Sequence, residues 1–140
     1  MKQRRKIFSI LIIILPLLLG MSGLGGETPG KIPLPEKNFT ASFVDHMDII
    51  TEADRVSIDG SVFLEGKRGE GTFAVAFENI RHIDFLHEHD VLQARLLLKD
   101  GSSQMLVMNK KARAYGKTRY GTFQIRLIDL KRMTITGQLK

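Results

Sequence analysis

The 140-residue sequence contains no cysteine and no tryptophan, and only two tyrosines and four prolines. Without a thiol there is no disulfide framework, no CxxC redox pair, no zinc ribbon and no c-type haem attachment. There is no GxSxG elbow and no HExxH pair either. Gly116-Lys117-Thr118 resembles the end of a phosphate loop. However, Lys111 stands where that loop needs its first glycine, and Gly121-Thr122-Phe123 opens a strand where a helix is required. Helical periodicity is equally scarce: after residue 40 no 3.6-residue stripe has caps at both ends, and only Asp45 to Asp54 accommodates a helical turn. With 43% hydrophobic and 26% charged residues the chain is nevertheless a folding one. No cofactor is expected from this residue set.

What is present begins with a leader. Lys2, Arg4, Arg5 and Lys6 precede the uncharged run Ile7 to Leu19, and the small-residue stretch Gly20 to Gly26 follows. Basic, apolar and small regions in that order form a secretory signal, with Gly23 and Gly25 suited to the −3 and −1 positions of a cut. The reading is therefore an exported protein, periplasmic or secreted. The alternative is a domain held at the membrane by residues 1–26 uncleaved, since the run through Gly26 approaches the ~20 residues that span a bilayer. Gln3 to Phe8 partly matches a twin-arginine signal, and the absence of cysteine at the cut rules out an acyl anchor. Outside this segment 17 basic residues face 15 acidic ones, so most of the +6 net charge belongs to the leader and no nucleic-acid partner is expected.

Residues 27–38, with Pro29, Gly30, Pro33 and Pro35, read as an extended linker, and a β-domain is expected over 39–137. Phe73, Val75 and Phe77, then Leu92, Ala94, Leu96 and Leu98, then Phe123, Ile125 and Leu127 recur at period two, the mark of half-buried strands. Asp59-Gly60 and Asp100-Gly101 each separate apolar runs, as hairpin turns do.

Phe63 to Phe85 lies without a gap on Arg113 to Ile135 at an offset of 50. Gly66/Gly116, Lys67/Lys117, Gly71/Gly121, Thr72/Thr122 and Phe73/Phe123 are identical, and the apolar register is kept through Phe85/Ile135. This predicts two repeats, about 41–88 and 91–137. Each has a DG hairpin, a GK loop whose glycines serve positive φ or close approach, a strand and a corner near Glu78 to Arg81 or Ile128 to Lys131. The two DG turns are 41 residues apart, which implies a longer second hairpin across Ser102 to Arg113. The corner, ending in the I-x-x-I-x-F pattern of Ile80 to Phe85, looks like the strand corners of small Sm-like and SH3-like barrels, which implies small antiparallel β-structure. The expected fold is all-β, an antiparallel sandwich or closed barrel of two repeated β-units behind an N-terminal signal or anchor helix.

Charge is polarised along the chain. Residues 27–90 hold 6 basic and 13 acidic groups, and residues 91–140 hold 11 and 2. Lys110, Lys111, Arg113, Lys117 and Arg119 fall in the long hairpin and GK loop. They are the candidate anion- or partner-binding residues, suited to an anionic envelope component or an acidic protein. The same polarity also fits two copies attracting each other, or head-to-tail association. His87 and His89, at i and i+2, would share a strand face and offer imidazoles to zinc, copper or nickel. Paired carboxylates such as Asp45/Asp48 and Glu65/Glu70 are the only material for an enzyme. The reading is an exported, non-catalytic envelope-interaction or accessory module. The alternatives are a metal carrier or sensor through His87 and His89, and an enzyme using carboxylates. Asn38-Phe39-Thr40 would be a glycosylation sequon in a eukaryotic secretory route.

Overall fold

The computed structural model describes residues 32–140; the leader and residues 27–31 of the linker lie outside the described residues. The chain is all-β. Ten strands follow one another: β1 (Asn38–Asp45), β2 (Ile50–Ile58), β3 (Phe63–Arg68), β4 (Gly71–Ala76), β5 (Ile80–Glu88), β6 (Val91–Leu98), β7 (Ser103–Met108), β8 (Arg113–Thr118), β9 (Gly121–Arg126) and β10 (Leu130–Leu139). They form one antiparallel half-barrel sheet in the order β4-β3-β7-β6-β5-β10-β1-β2-β8-β9. The expected pair of stacked sheets or closed ring is therefore replaced by a single curved sheet with β4 and β9 at its ends. Among the described residues no helix is long and apolar enough to cross a membrane.

Read inward from each end, the order is β4-β3-β7-β6-β5 on one side and β9-β8-β2-β1-β10 on the other. The centre falls between Ile83 and Met133, which pair with each other and are themselves 50 residues apart. Hydrogen bonds match across this centre. Phe77 N donates to Val62 O as Leu127 N does to Ala112 O, and Lys99 N donates to Asn79 O as His46 N does to Asp129 O. Register matches as well: Arg95 pairs with Asp84 and Met105 as Ser42 pairs with Thr134 and Glu52. The N-terminal strands β1 and β2 thus occupy in the second half the places that β6 and β7 hold in the first.

This arrangement corrects the pairing of the DG turns. Asp59-Gly60 joins β2 to β3, while Asp100-Gly101 joins β6 to β7, so the two turns occupy unlike positions. The supposed long hairpin from Ser102 to Arg113 contains the whole of β7. The helical turn allowed between Asp45 and Asp54 is absent: β1 ends at Asp45, whose Oδ1 accepts from Met47 N and Ile49 N, and β2 starts at Ile50. A carboxylate accepting from two amides of the following loop holds a turn without needing a helix.

Helical geometry occurs instead at the two corners, as single 3-10 turns at Phe77–Asn79 and Leu127–Asp129. Each lets a side chain drop into the core where an unbroken strand would carry it outward, and Phe77 and Leu127 are fully buried. Behind them Ile80 and Ile83, and Leu130 and Met133, are buried at the same spacing. The core lies in the hollow of the sheet. The rings of Phe39 and Phe77 meet edge to face at 5.7 Å, and those of Phe43 and Phe123 lie 5.2 Å apart, joining β1 to β9 across two intervening strands. Edge strand β4 is less buried than its alternation suggests, with Phe73 exposed.

Candidate functional site

Strand β8 and its flanking turns carry all five predicted basic residues, and the fold sorts them into two groups. Lys110 and Lys111 lie in the turn before β8 and Arg113 at its start, whereas Lys117 and Arg119 lie at its far end. Four strand steps separate Arg113 from Lys117, about 13 Å. The groups differ in their commitments. Lys110 Nζ lies 2.6 Å from Asp90 Oδ2 in the β5–β6 turn. That hydrogen bond, together with the ammonium charge, holds the Asp90 carboxyl below its usual range. The Arg113 backbone is tied to Asp59, its N–H donating to Oδ1 at 3.1 Å and its carbonyl accepting from the Asp59 N–H at 2.9 Å.

At the far end Lys117 faces Asp54 on β2 and Thr122 on β9. The β8–β9 turn is shaped by Thr118, whose hydroxyl donates to Gly121 O at 2.8 Å and accepts from Gly121 N and Tyr120 N. This lifts Tyr120 out until it is 91% exposed, with the Arg119 guanidinium 5.7 Å from its ring centroid. Lys111, Lys117 and Arg119 make no ion pair among the described residues.

The linear charge polarity does not persist as two opposed units. Residues 38–60 hold five acidic groups and one basic, and as β1 and β2 they lie between basic strands β10 and β8. Lys131 pairs with Asp48, Arg132 forks onto Asp84 at 2.6 and 3.1 Å across the central β5–β10 seam, and Arg126 forks onto Asp129 at 2.8 and 3.2 Å. The Asp84 and Asp129 bonds raise the Arg132 and Arg126 guanidinium pKa values above their ordinary range. Asp48 and Asp45, one of the carboxylate pairs, are thus occupied by Lys131 and by turn amides, while Glu65 and Glu70 stand exposed on the β3–β4 hairpin.

The histidines are not arranged as the alternation of a strand would place them. His87 is within β5, but β5 ends at Glu88 and His89 opens the two-residue turn with φ 50°. The two therefore do not share a strand face. Among the described residues no three His, Cys, Asp or Glu side chains are grouped to hold a metal. His46 instead accompanies the corner, with Nε2 3.2 Å from Ile128 O.

A cavity of about 480 Å³, which the linear reading missed, opens between β3 and the end of β7, bordered by Asp59, Ser61, Phe63, Glu65, Met108 and Asn109. Its signal in the sequence is a length difference. Met108 corresponds to Arg55 at an offset of 53, while β3 corresponds to β8 at an offset of 50. The difference becomes visible only once β1–β2 is aligned with β6–β7.

A protein-family model described as "Uncharacterised protein" matches residues 35–138. No curated protein and no solved structure matches the chain.

Proposed function

The chain belongs to the family that this model describes, and for its β-domain we propose a non-catalytic interaction module that works outside the cytosol and binds an anionic envelope component through the end of β8. One observation carries the reading. Lys110, Arg126, Lys131 and Arg132 are neutralised by carboxylates, while Lys117 and Arg119, two residues apart at the β8–β9 hairpin tip, make no ion pair among the described residues, and Arg119 lies against the exposed Tyr120 ring. Two uncommitted cations next to an amphipathic aromatic suit phosphate or carboxylate groups on an extended surface. Lys111 adds positive potential from the other end of the strand. The basic, apolar and small segments of residues 1–26 supply export, and an uncleaved leader would hold the domain near the membrane. The matched register and corners support descent from one duplicated five-strand unit whose second copy was completed by the N-terminal strands.

Co-sedimentation with vesicles rich in anionic lipid, against zwitterionic vesicles, tests the proposal. The native chain is expected in the pellet at low salt and in the supernatant as salt rises. The double variant Lys117→Glu/Arg119→Glu is expected in the supernatant throughout. Equal retention of this variant and the native chain, on vesicles and on an acidic polysaccharide matrix, overturns the reading.

A further inference from the structure

The two halves of the sheet differ in length at one place. β2 continues beyond Arg55 through Val56, Ser57 and Ile58 before turning at Asp59-Gly60. These three residues complete the pairing with β8: Ser57 lies opposite Tyr115, and Ile58 opposite Ala114. Arg55 takes φ 45° at the register shift that makes room for them. The corresponding strand β7 stops at Met108, and Asn109 leads directly into the next turn. Its pairing with β3 is confined to Lys67 opposite Val107. The cavity occupies the ground that Val56, Ser57 and Ile58 fill in the other half.

We infer that this cavity is a strand slot, and that it takes an extended segment of a partner polypeptide with the apolar, small, apolar pattern of Val56-Ser57-Ile58. The backbone is prepared for it. In β8 the odd-numbered residues turn their polar groups toward β2, as the Arg113 carbonyl accepting from Asp59 N shows. The same parity in β3 aims the N–H and C=O of Phe63 and Glu65 into the slot, where no strand of the described residues meets them. Unpaired strand edges are the template on which peptides add by main-chain hydrogen bonding.

The side chains set the pattern of the guest. In the filled half Val56 and Ile58 point into the core and Ser57 sits buried beside Tyr115 on the opposite face. In the empty half Met108 and Phe63 offer the apolar walls. Glu65 stands exposed on the slot edge and makes no ion pair among the described residues, so a basic residue flanking the guest has a carboxylate to meet. The slot belongs to the half of the sheet that lacks the β8 tip, and its test is independent of the vesicle experiment.

The full chain is titrated with the peptide acetyl-Lys-Val-Ser-Ile-Lys-amide and followed by amide NMR. Saturable shifts confined to β3 and β7, with slowed exchange at the Phe63 and Glu65 amides, are expected. A variant carrying Val-Ser-Ile inserted after Met108 fills the slot from within, and is expected to lose the binding and to melt at higher temperature. Should the insertion fail to fold, Glu65→Pro removes one donor aimed into the slot without removing a bond to β4, and about a tenfold loss of affinity is expected. The absence of saturable shifts at Phe63 and Glu65, or shifts unchanged in the insertion and proline variants, overturns the inference. So does the same set of shifts appearing with protein concentration alone, which would make a second copy the guest.

Discussion

Gly116 and Ala53 approach so closely that a Cβ built on the glycine would sit 2.6 Å from the alanine Cβ and 3.3 Å from Val56 Cγ1. Gly66 has the same role in the other half, with a Cβ there 2.8 Å from Leu106 Cβ. Both glycines mark a place where a neighbouring strand of the sheet approaches tightly on the inner side, and neither has positive φ. Gly116→Ala forces backbone or core to move and is expected to cost about 1–3 kcal/mol of unfolding free energy in denaturant titration. Gly121→Ala, at a position with nothing within 4 Å, is expected to stay within about 0.5 kcal/mol of the native chain. Equal effects of the two substitutions would remove the close-approach explanation.

Phe43 holds the curl of the sheet. It is 1% exposed, and its ring is tilted against Phe123 on the end strand β9. Phe43→Ala is expected to lose about 3–5 kcal/mol, the range for emptying a buried phenylalanine site. Phe123 is only partly buried, so Phe123→Ala should cost less while freeing β9 preferentially. Hydrogen exchange should then show the Gly121–Arg126 amides accelerating before those of β1.

Much of the strand content was legible because alternation is a local signal. Phe73 to Phe77 and Phe123 to Leu127 declare strands, and Phe77/Ile80/Ile83 declares a corner that a uniform strand cannot make. Connectivity was not legible, because no local pattern says that β1 and β2 complete the half containing β8. The DG turns misled for that reason: Asp59-Gly60 and Asp100-Gly101 look alike and stand in different places. Which of the basic residues are free of ion pairs was not legible, since it depends on Asp90, Asp48 and Asp84, partners 20 to 83 residues distant in the chain. The strand slot was invisible for the same reason, being three residues missing from an equivalence that only the fold reveals.

The His89-Asp90 turn has both central residues at positive φ, 50° and 61°. Two-residue hairpin turns of that kind favour Asn-Gly, and histidine at the first position is strained. His89→Asn is therefore expected to raise stability by roughly 0.5 kcal/mol, read as a higher denaturation midpoint at unchanged slope. A drop would show that the imidazole makes a contact stronger than the backbone preference.

Asp90 also links acid titration to the basic face. The hydrogen bond from Lys110, and then its charge, hold the carboxyl below its ordinary 3.8. A carboxyl depressed in the folded state favours folding above its unfolded pKa, and that contribution disappears as pH falls from the ordinary value through the folded one. The group is fully exposed, so the effect on stability is small and the shift itself is the observable. Carboxyl NMR is expected to show Asp90 titrating below 3.8, and Lys110→Met should return it to the ordinary range. Asp90→Asn removes one negative charge and releases the Lys110 ammonium. If the anion-binding reading holds, that variant should stay on anionic vesicles to higher salt than the native chain, with the slot peptide binding unchanged.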